Sequence, residues 1–231
     1  AGGPEDPDEQ PTVIGDTLLL QVGHKGKYAG VVGFFPDAEP QERLKFELVN
    51  LDNRRFKASP IMREHMRQYQ DRLRDEQLVS SELPIGHPSG WTFVGAAKCG
   101  ECHKRAYQKW QDPGDMPYHH AHAYESLKQG RKGQEKDWIS RVHDPECLVC
   151  HVTGWDTDNF LRYDSGFLSP EETPHLVAQQ CENCHGPGSR HVEIEELFQT
   201  DRKQVDRDEL IDVRKKLHRS IETAEKQVCS K

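Results

Sequence analysis

The sequence predicts an α+β chain, a small antiparallel β meander followed by a mainly α, loop-rich domain, and three observations predict it. Residues 12–49 hold short β-prone apolar runs broken by glycine-containing turns. From Ser59 onward the apolar spacing takes the helical period in short, separate segments. Between Cys99 and His185 one five-residue word recurs three times: Cys99-Gly-Glu-Cys102-His103, Cys147-Leu-Val-Cys150-His151 and Cys181-Glu-Asn-Cys184-His185.

Each word is C-x-x-C-H, the attachment signature of c-type haem. Two cysteines at this spacing each bond one vinyl group of the porphyrin, and the adjacent histidine lies under the iron as its axial ligand. Covalent haem is therefore assigned to Cys99 and Cys102, to Cys147 and Cys150, and to Cys181 and Cys184, with His103, His151 and His185 as proximal iron ligands. That makes three covalently bound haem c groups. Zinc is the rival, since paired Cys-x-x-Cys units also build structural zinc sites. Zinc pairs usually stand about 15–20 residues apart, closer than Cys102 is to Cys147 or Cys150 to Cys181, and zinc has no need of a histidine after every second cysteine. Redox dithiols fit less well, because no βαβ pattern surrounds the words.

The composition agrees with a haem-built interior. Only 34% of the 231 residues are hydrophobic and 30% are charged, polar for a packed globule, and each porphyrin is an apolar plate that side chains can wrap as core. A net charge of −8, from 31 basic and 39 acidic residues, argues against nucleic acid as a partner and suits docking to redox partner proteins that carry basic patches. No run of about 18 apolar residues exists to span a membrane. The opening Ala-Gly-Gly-Pro-Glu-Asp-Pro-Asp-Glu has neither the basic start nor the apolar middle of a signal peptide. Because c-type haem is attached outside the cytoplasm in bacteria, the expected location is periplasmic or otherwise extracytoplasmic, with an export signal removed or lying upstream.

Taken in order, residues 1–12 are rich in Pro, Gly and acid and read as a linking segment. Thr17–Val22 and Tyr28–Phe35 read as two strands of a hairpin turning through Gly23–Lys27, and Leu44–Val49 alternates as a half-buried edge strand. The stretch Gly15-Asp16-Thr17-Leu-Leu-Leu-Gln-Val-Gly23-His-Lys-Gly26-Lys-Tyr-Ala-Gly30-Val-Val-Gly33 resembles the last strands of a 5′-nucleotidase-type metallophosphatase domain, over about residues 12–75. That family's metal-binding words are not in this chain, so the resemblance implies a phosphatase tail without its catalytic centre. A helix follows, with Ser59 as N-cap and Pro60 in its first position. Met62, Met66, Tyr69 and Leu73 share one face and read as core rather than as iron ligands. Two prolines and two glycines between Ser80 and Gly90 mark a boundary, giving domains over 1–90 and 91–231.

The second domain opens on the first haem word. Lys104–Trp110 reads as a short helix broken at Asp112–Asp115, and the cluster Tyr118-His119-His120-Ala121-His122 opens another. His120 and His122 cannot share a helical face, so at most one of them points at a given iron. The order C-x-x-C-H, Trp, His-Ala-x-Ala-x-Glu-Ser-Leu, C-x-x-C-H-Val-x-Gly-aromatic, then Cys-Glu-x-Cys-His-Gly-Pro-Gly-x-x-x-His resembles the cytochrome c-554 family over about residues 95–195. The resemblance implies a multihaem cytochrome c domain in which His120 ligates the third haem, His191 ligates the first, and the second, held by Cys147, Cys150 and His151, keeps one open face. It also implies a fourth haem word near the end, where Cys229-Ser230-Lys231 matches the start of one. His143 is a candidate to cap the open iron. Trp110, Trp138 and Trp155 are expected on porphyrin edges, and Arg141, Arg162 and Arg190 beside propionates. Gly186-Pro187-Gly188 is a tight bend. Leu210, Val213, Leu217 and Ile221 make the apolar stripe of a last helix.

The expected function is electron transfer through closely packed, mostly bis-His haems, whose ligand set favours low potentials. Two alternatives belong to other classes: a haem enzyme working on nitrogen oxides or peroxide at the open iron above His151, and a redox-sensing module attached to a phosphatase.

Overall fold

The computed structural model describes residues 7–219, apart from 16, 24, 25, 53, 113, 115–118, 131, 132 and 134. The chain divides into two compact units, Ala1–Glu64 and His65–Lys231. His24, Ile221 and the Cys229-Ser230-Lys231 match all lie outside the described residues.

In the first unit β1 (Thr12–Ile14) pairs antiparallel with β2 (Thr17–Leu19), Ile14 facing Thr17 across a two-residue loop. Gly15, at φ 59°, supplies the left-handed backbone that such a loop requires. β3 (Tyr28–Phe34) pairs with β4 (Leu44–Asn50), from Tyr28 opposite Asn50 to Phe34 opposite Leu44. This corrects the expected pairing: the run from Thr17 folds onto Val13 and Ile14, not across Gly23–Lys27 onto Tyr28–Phe35. The two-residue turn closes a shorter loop at lower entropic cost, and β3 finds in β4 a partner of its own length. The β part is thus two separate ribbons instead of one meander, with every strand residue exposed or half-buried.

α1 (Pro60–Asp75) crosses the border between the units. Ser59 Oγ accepts the Met62 N–H at 3.5 Å, as its N-cap role requires. The expected apolar stripe is only partly core: Leu73 is buried, but Met62 and Tyr69 are exposed, and Gln70 is buried in place of Tyr69. Gln70 is held there by a polar partner, its Nε2 donating 2.7 Å to Asp144 Oδ2. After α2 (Leu78–Ser81) come α3 (Ala96–Cys102), α4 (Lys104–Gln111), α5 (Ala123–Gln129) and α6 (Pro145–His151). A two-residue β5 (Trp155–Asp156) then pairs with β6 (Leu161–Arg162). α7 (Cys181–His185), α8 (Ser189–Thr200) and α9 (Arg207–Leu217) follow, and single 3-10 turns occupy Pro40–Glu42, His120–His122, Glu135–Asp137 and Pro174–Leu176.

The principal core of the second unit gathers Phe93, Tyr124, Leu127, Leu148, Val149, Val152, Trp155, Phe167 and Leu176. Leu148 is fully buried, and it sits between Cys147 and Cys150, so the residues inside the second haem word anchor that word in the core. Leu148→Ala is expected to lower unfolding free energy by about 2–5 kcal/mol, read from chemical denaturation of the haem-loaded protein. Trp155 is part of this core, its Nε1 donating to Phe167 O at 2.9 Å, so it packs on protein rather than standing at the surface. A smaller cluster of Ile194, Leu210 and Val213 joins α8 to α9, which realises the Leu210 and Val213 part of the apolar stripe expected in the last helix. Beside the principal core the backbone closes tightly: a Cβ on Gly166 would run straight into the Gly154 carbonyl oxygen.

His87 packs edge-on to Tyr163, ring centroids 4.7 Å apart, and to Phe93 at 5.8 Å. Ser89 N–H donates to its Nδ1 at 3.2 Å, leaving the proton on Nε2. Burial holds its pKa below the ordinary histidine value, against the opposing pull of Asp164 and Asp156. The folded protein therefore binds fewer protons here than the unfolded chain. Its contribution is complete above the unfolded value of about 6.5 and declines as pH falls below it. His87→Phe is expected to flatten that part of the stability–pH curve, measured by denaturation between pH 5 and 8.

Candidate haem sites

Each haem word is folded as a short helix, so its two cysteines lie one turn apart on one side and the histidine closes the C-terminal end. α6 is the most completely specified. Pro145 occupies its first turn, and Asp144 caps it, Oδ1 accepting from Glu146 N at 3.1 Å while Oδ2 takes the Gln70 bond. α7 opens on a capping box in which the Gln180 and Asn183 side chains exchange bonds with each other's backbone. α3 begins at Gly95, φ 84°, where a Cβ would meet the His175 carbonyl oxygen at 2.6 Å. The second cysteines Cys102 and Cys150 are exposed and Cys184 is half-buried, while the first cysteines Cys99, Cys147 and Cys181 are all half-buried.

Burial, with Asp144 beside it, pushes the Cys147 thiol up to about 11. Cys99 and Cys181 are within hydrogen-bonding reach of each other. That bond raises the pKa of Cys99 and lowers that of Cys181. The helices α3 and α7, which carry the first and third words, lie against each other, a juxtaposition of words 82 residues apart in number that spacing does not reveal.

His151 and His185 are oriented by their second nitrogens. His151 Nδ1 lies 2.7 Å from Ala123 O and 3.3 Å from Ser126 Oγ, and His185 Nδ1 lies 2.7 Å from Leu217 O. A proton on Nδ1, donated to a carbonyl, leaves the Nε2 lone pair free for a metal, the usual second bond of a ligating imidazole. His103 and His191 face each other with ring centroids 6.3 Å apart and planes 22° from parallel. Two imidazoles bonded at about 2 Å to one metal between them would hold their centroids roughly 6 Å apart, a separation similar to that of this pair. His191 is half-buried, and its Nδ1 has no hydrogen-bond partner. Burial, opposed by Glu195, keeps its pKa below the ordinary value and so favours the neutral, ligating form.

His120 is exposed at the head of the 120–122 turn. Its carbonyl accepts from Gln179 N at 3.2 Å, which ties that turn to the residues just ahead of Cys181. Its neighbour His119 is half-buried, its Nδ1 lacks a partner, and its ring lies 5.3 Å from that of His122. The resemblance that singles out His120, first residue of the His-Ala-x-Ala-x-Glu-Ser-Leu word, passes over His119. His143 is exposed and lines a cavity of about 630 Å³ with Arg74, Tyr124, Lys128 and Phe167, while Cys147, Cys150 and His151 are outside that lining.

Of the three arginines, Arg190 is committed to Glu193 and Glu209. Arg162 bonds the backbone of Tyr163 and Asp164 with Nη1. Arg141 stands over Trp138 and beside Cys147, and its Nε, like that of Arg162, is buried without a hydrogen-bond partner, as a propionate site would need. Trp110 and Trp138 donate their ring N–H groups to Gln179 O and Leu127 O, at 2.8 and 2.7 Å. Among the described residues no three His, Cys, Asp or Glu side chains converge as a metal cage, the arrangement the zinc alternative needs. Orphaned nitrogens on His191 and Arg141 and carbonyl-oriented imidazoles at His151 and His185 make a residue set that fits haem.

Residues 98–186 match the family described as cytochrome c554 and c-prime. Over 128 residues the chain is 31% identical to cytochrome c-554 of Nitrosomonas europaea, which covers 51% of this chain and 50% of that protein. Among solved structures, reduced cytochrome c554 from Nitrosomonas europaea is 28% identical, with a TM-score of 0.33 over 53% of this chain and 58% of that one. The chain thus spans about half the length of the curated relative it matches. The family match starts at residue 98 and lends no support to a metallophosphatase tail in residues 12–75. The family implies covalently bound haem c, in keeping with the cysteine words and the orientation of their histidines. Over residues 98–186 this chain is thus similar to the cytochrome c554 and c-prime family.

Proposed function

We propose that this chain is an electron-transfer module carrying three haem c groups, on Cys99/Cys102, Cys147/Cys150 and Cys181/Cys184, with His103, His151 and His185 as proximal ligands. Bound haem iron supplies a one-electron ferric/ferrous couple. The observation that carries the proposal is the facing pair His103 and His191, one from the first haem word and one from α8 beyond the third. A distal ligand drawn from a different word ties two cofactor sites to one another and holds their separation constant. The packing of α3 against α7 supports the same closeness of the first and third sites.

His120 is the proposed distal ligand of the third haem, supported by its backbone bond to Gln179. The second haem, on His151, keeps an open or exchangeable sixth position. Attachment through thioethers places the protein in an extracytoplasmic compartment, and among the described residues no helix is long and apolar enough to cross a membrane. Its partners are redox proteins.

Intact mass under denaturing conditions, with a reduced-minus-oxidised spectrum of fully matured protein, tests the reading. Polypeptide plus three haems is expected, and a colourless chain of bare polypeptide mass overturns it. Among ligand variants, His120→Ala is expected to raise the high-spin fraction by one haem in three, whereas His119→Ala leaves it unchanged. The reverse result transfers the distal role to His119, whose Nδ1 is buried without a partner.

A further inference from the structure

We infer that Glu182 and Asn183, the two residues between Cys181 and Cys184, are positioning residues that set the spacing of the three haem sites. The inference rests on the three-haem reading above. In C-x-x-C-H the middle positions are free to vary as far as haem attachment is concerned, yet here both are bonded to residues that flank the other two words.

Glu182 is buried, 3% exposed, in the middle of α7. Its carboxylate accepts three backbone N–H groups: Val94 at 3.0 Å, Gly95 at 2.7 Å and Gly188 at 2.7 Å. Val94 and Gly95 lead into α3, which carries the first haem word, and Gly188 is the N-cap of α8, which carries His191. One carboxylate thus pins the third attachment helix to the first attachment helix and to the helix bearing the first haem's distal ligand. The fit is close, since a Cβ on Gly188 would come within 3.3 Å of Glu182 Oε1. A carboxylate that gathers several N–H donors is a short, strong and directional joint.

Asn183 makes the corresponding joint to the second word. Its Nδ2 donates to Val152 O at 2.8 Å, and its Oδ1 accepts from Gln180 N at 2.8 Å and lies 2.8 Å from Thr153 Oγ1. Val152 and Thr153 follow His151 directly and are fully buried. Gln180 completes the hub: its Oε1 accepts from Ala96 N, and its Nε2 donates to His175 O and Val177 O, both at 2.8 Å. Placing polar joints inside the third word makes its backbone the reference from which the other two are measured. A loss of either joint moves iron-to-iron distances without touching a cysteine or a ligand.

The test uses Glu182→Ala, Glu182→Gln and Asn183→Ala in the matured, haem-loaded chain, with haem counted by intact mass. Electron paramagnetic resonance of the fully oxidised protein and a potentiometric titration supply the readouts. Glu182→Ala is expected to keep three haems, weaken spin coupling between the first and third, and diminish the first haem's low-spin signal because α8 loses its anchor. Glu182→Gln, which keeps one acceptor oxygen, is expected to shift the same features by a smaller amount. Asn183→Ala is expected to leave the first–third coupling as in wild type and to alter the second haem's signal and potential.

Glu182 variants with three haems and spectra and potentials superimposable on wild type overturn the inference. Should Glu182→Ala yield no loaded chain, Glu182→Gln decides in the same terms. A wild-type chain without covalent haem overturns the three-haem reading and this inference with it, and the mass spectrum reveals that before any variant is made.

Discussion

His191→Ala is expected to convert one haem from six-coordinate low-spin to five-coordinate high-spin, leaving the covalent haem count unchanged. The expectation follows from the 6.3 Å, near-parallel approach of His103 and His191 and from the buried, partnerless Nδ1 of His191. Alanine removes the imidazole and leaves a space on the distal side, so the iron keeps only His103. Helix α8 itself stays in place, because Ile194 packs with Leu210 and Val213 and Arg214 is bonded bidentately to Glu195 at 2.6 and 2.9 Å. His191→Met would restore six ligands while raising that haem's potential, since thioether ligation favours the ferrous state relative to imidazole. A variant whose low-spin signals match wild type would remove His191 from the iron.

The double substitution Cys181→Ser/Cys184→Ser is expected to lower the mass of the matured protein by one haem. Serine is nearly isosteric but forms no thioether, so Glu182 and Asn183 keep their backbone partners while the porphyrin loses its attachment. Because α7 is joined to α3 and to the segment after His151, stability falls as well, by more than the typical surface substitution of about 0.5 kcal/mol. Retention of the full three-haem mass would show that these sulfurs carry no cofactor.

Legibility in the sequence tracked how local each determinant was. The three haem words, the start of α1 at Pro60 with Ser59 ahead of it, and the apolar stripe of α9 depend on residues within one or two turns of each other, and they were readable. The β ribbons were harder: Thr17–Leu19 is equally able to pair forward or backward, and only the low closure cost of the two-residue turn at Gly15 selects Val13 and Ile14. Tyr69 and Gln70 are neighbours on α1, and helical spacing favoured the aromatic, but a carboxylate from the cap of α6 draws the glutamine inward.

By itself the sequence carried the local pattern: six cysteines in three C-x-x-C-H words, a histidine behind each, in a chain only 34% hydrophobic. Attachment is encoded in five consecutive residues, so no folding is needed to read it. Only the tertiary structure decided which sites adjoin. It brought His191 opposite His103 and α3 against α7, and it bonded Glu182 and Asn183 to residues that flank the other two words. Contacts between residues tens of positions apart depend on the packing of whole helices and on buried donors finding acceptors, and no local pattern carries that information.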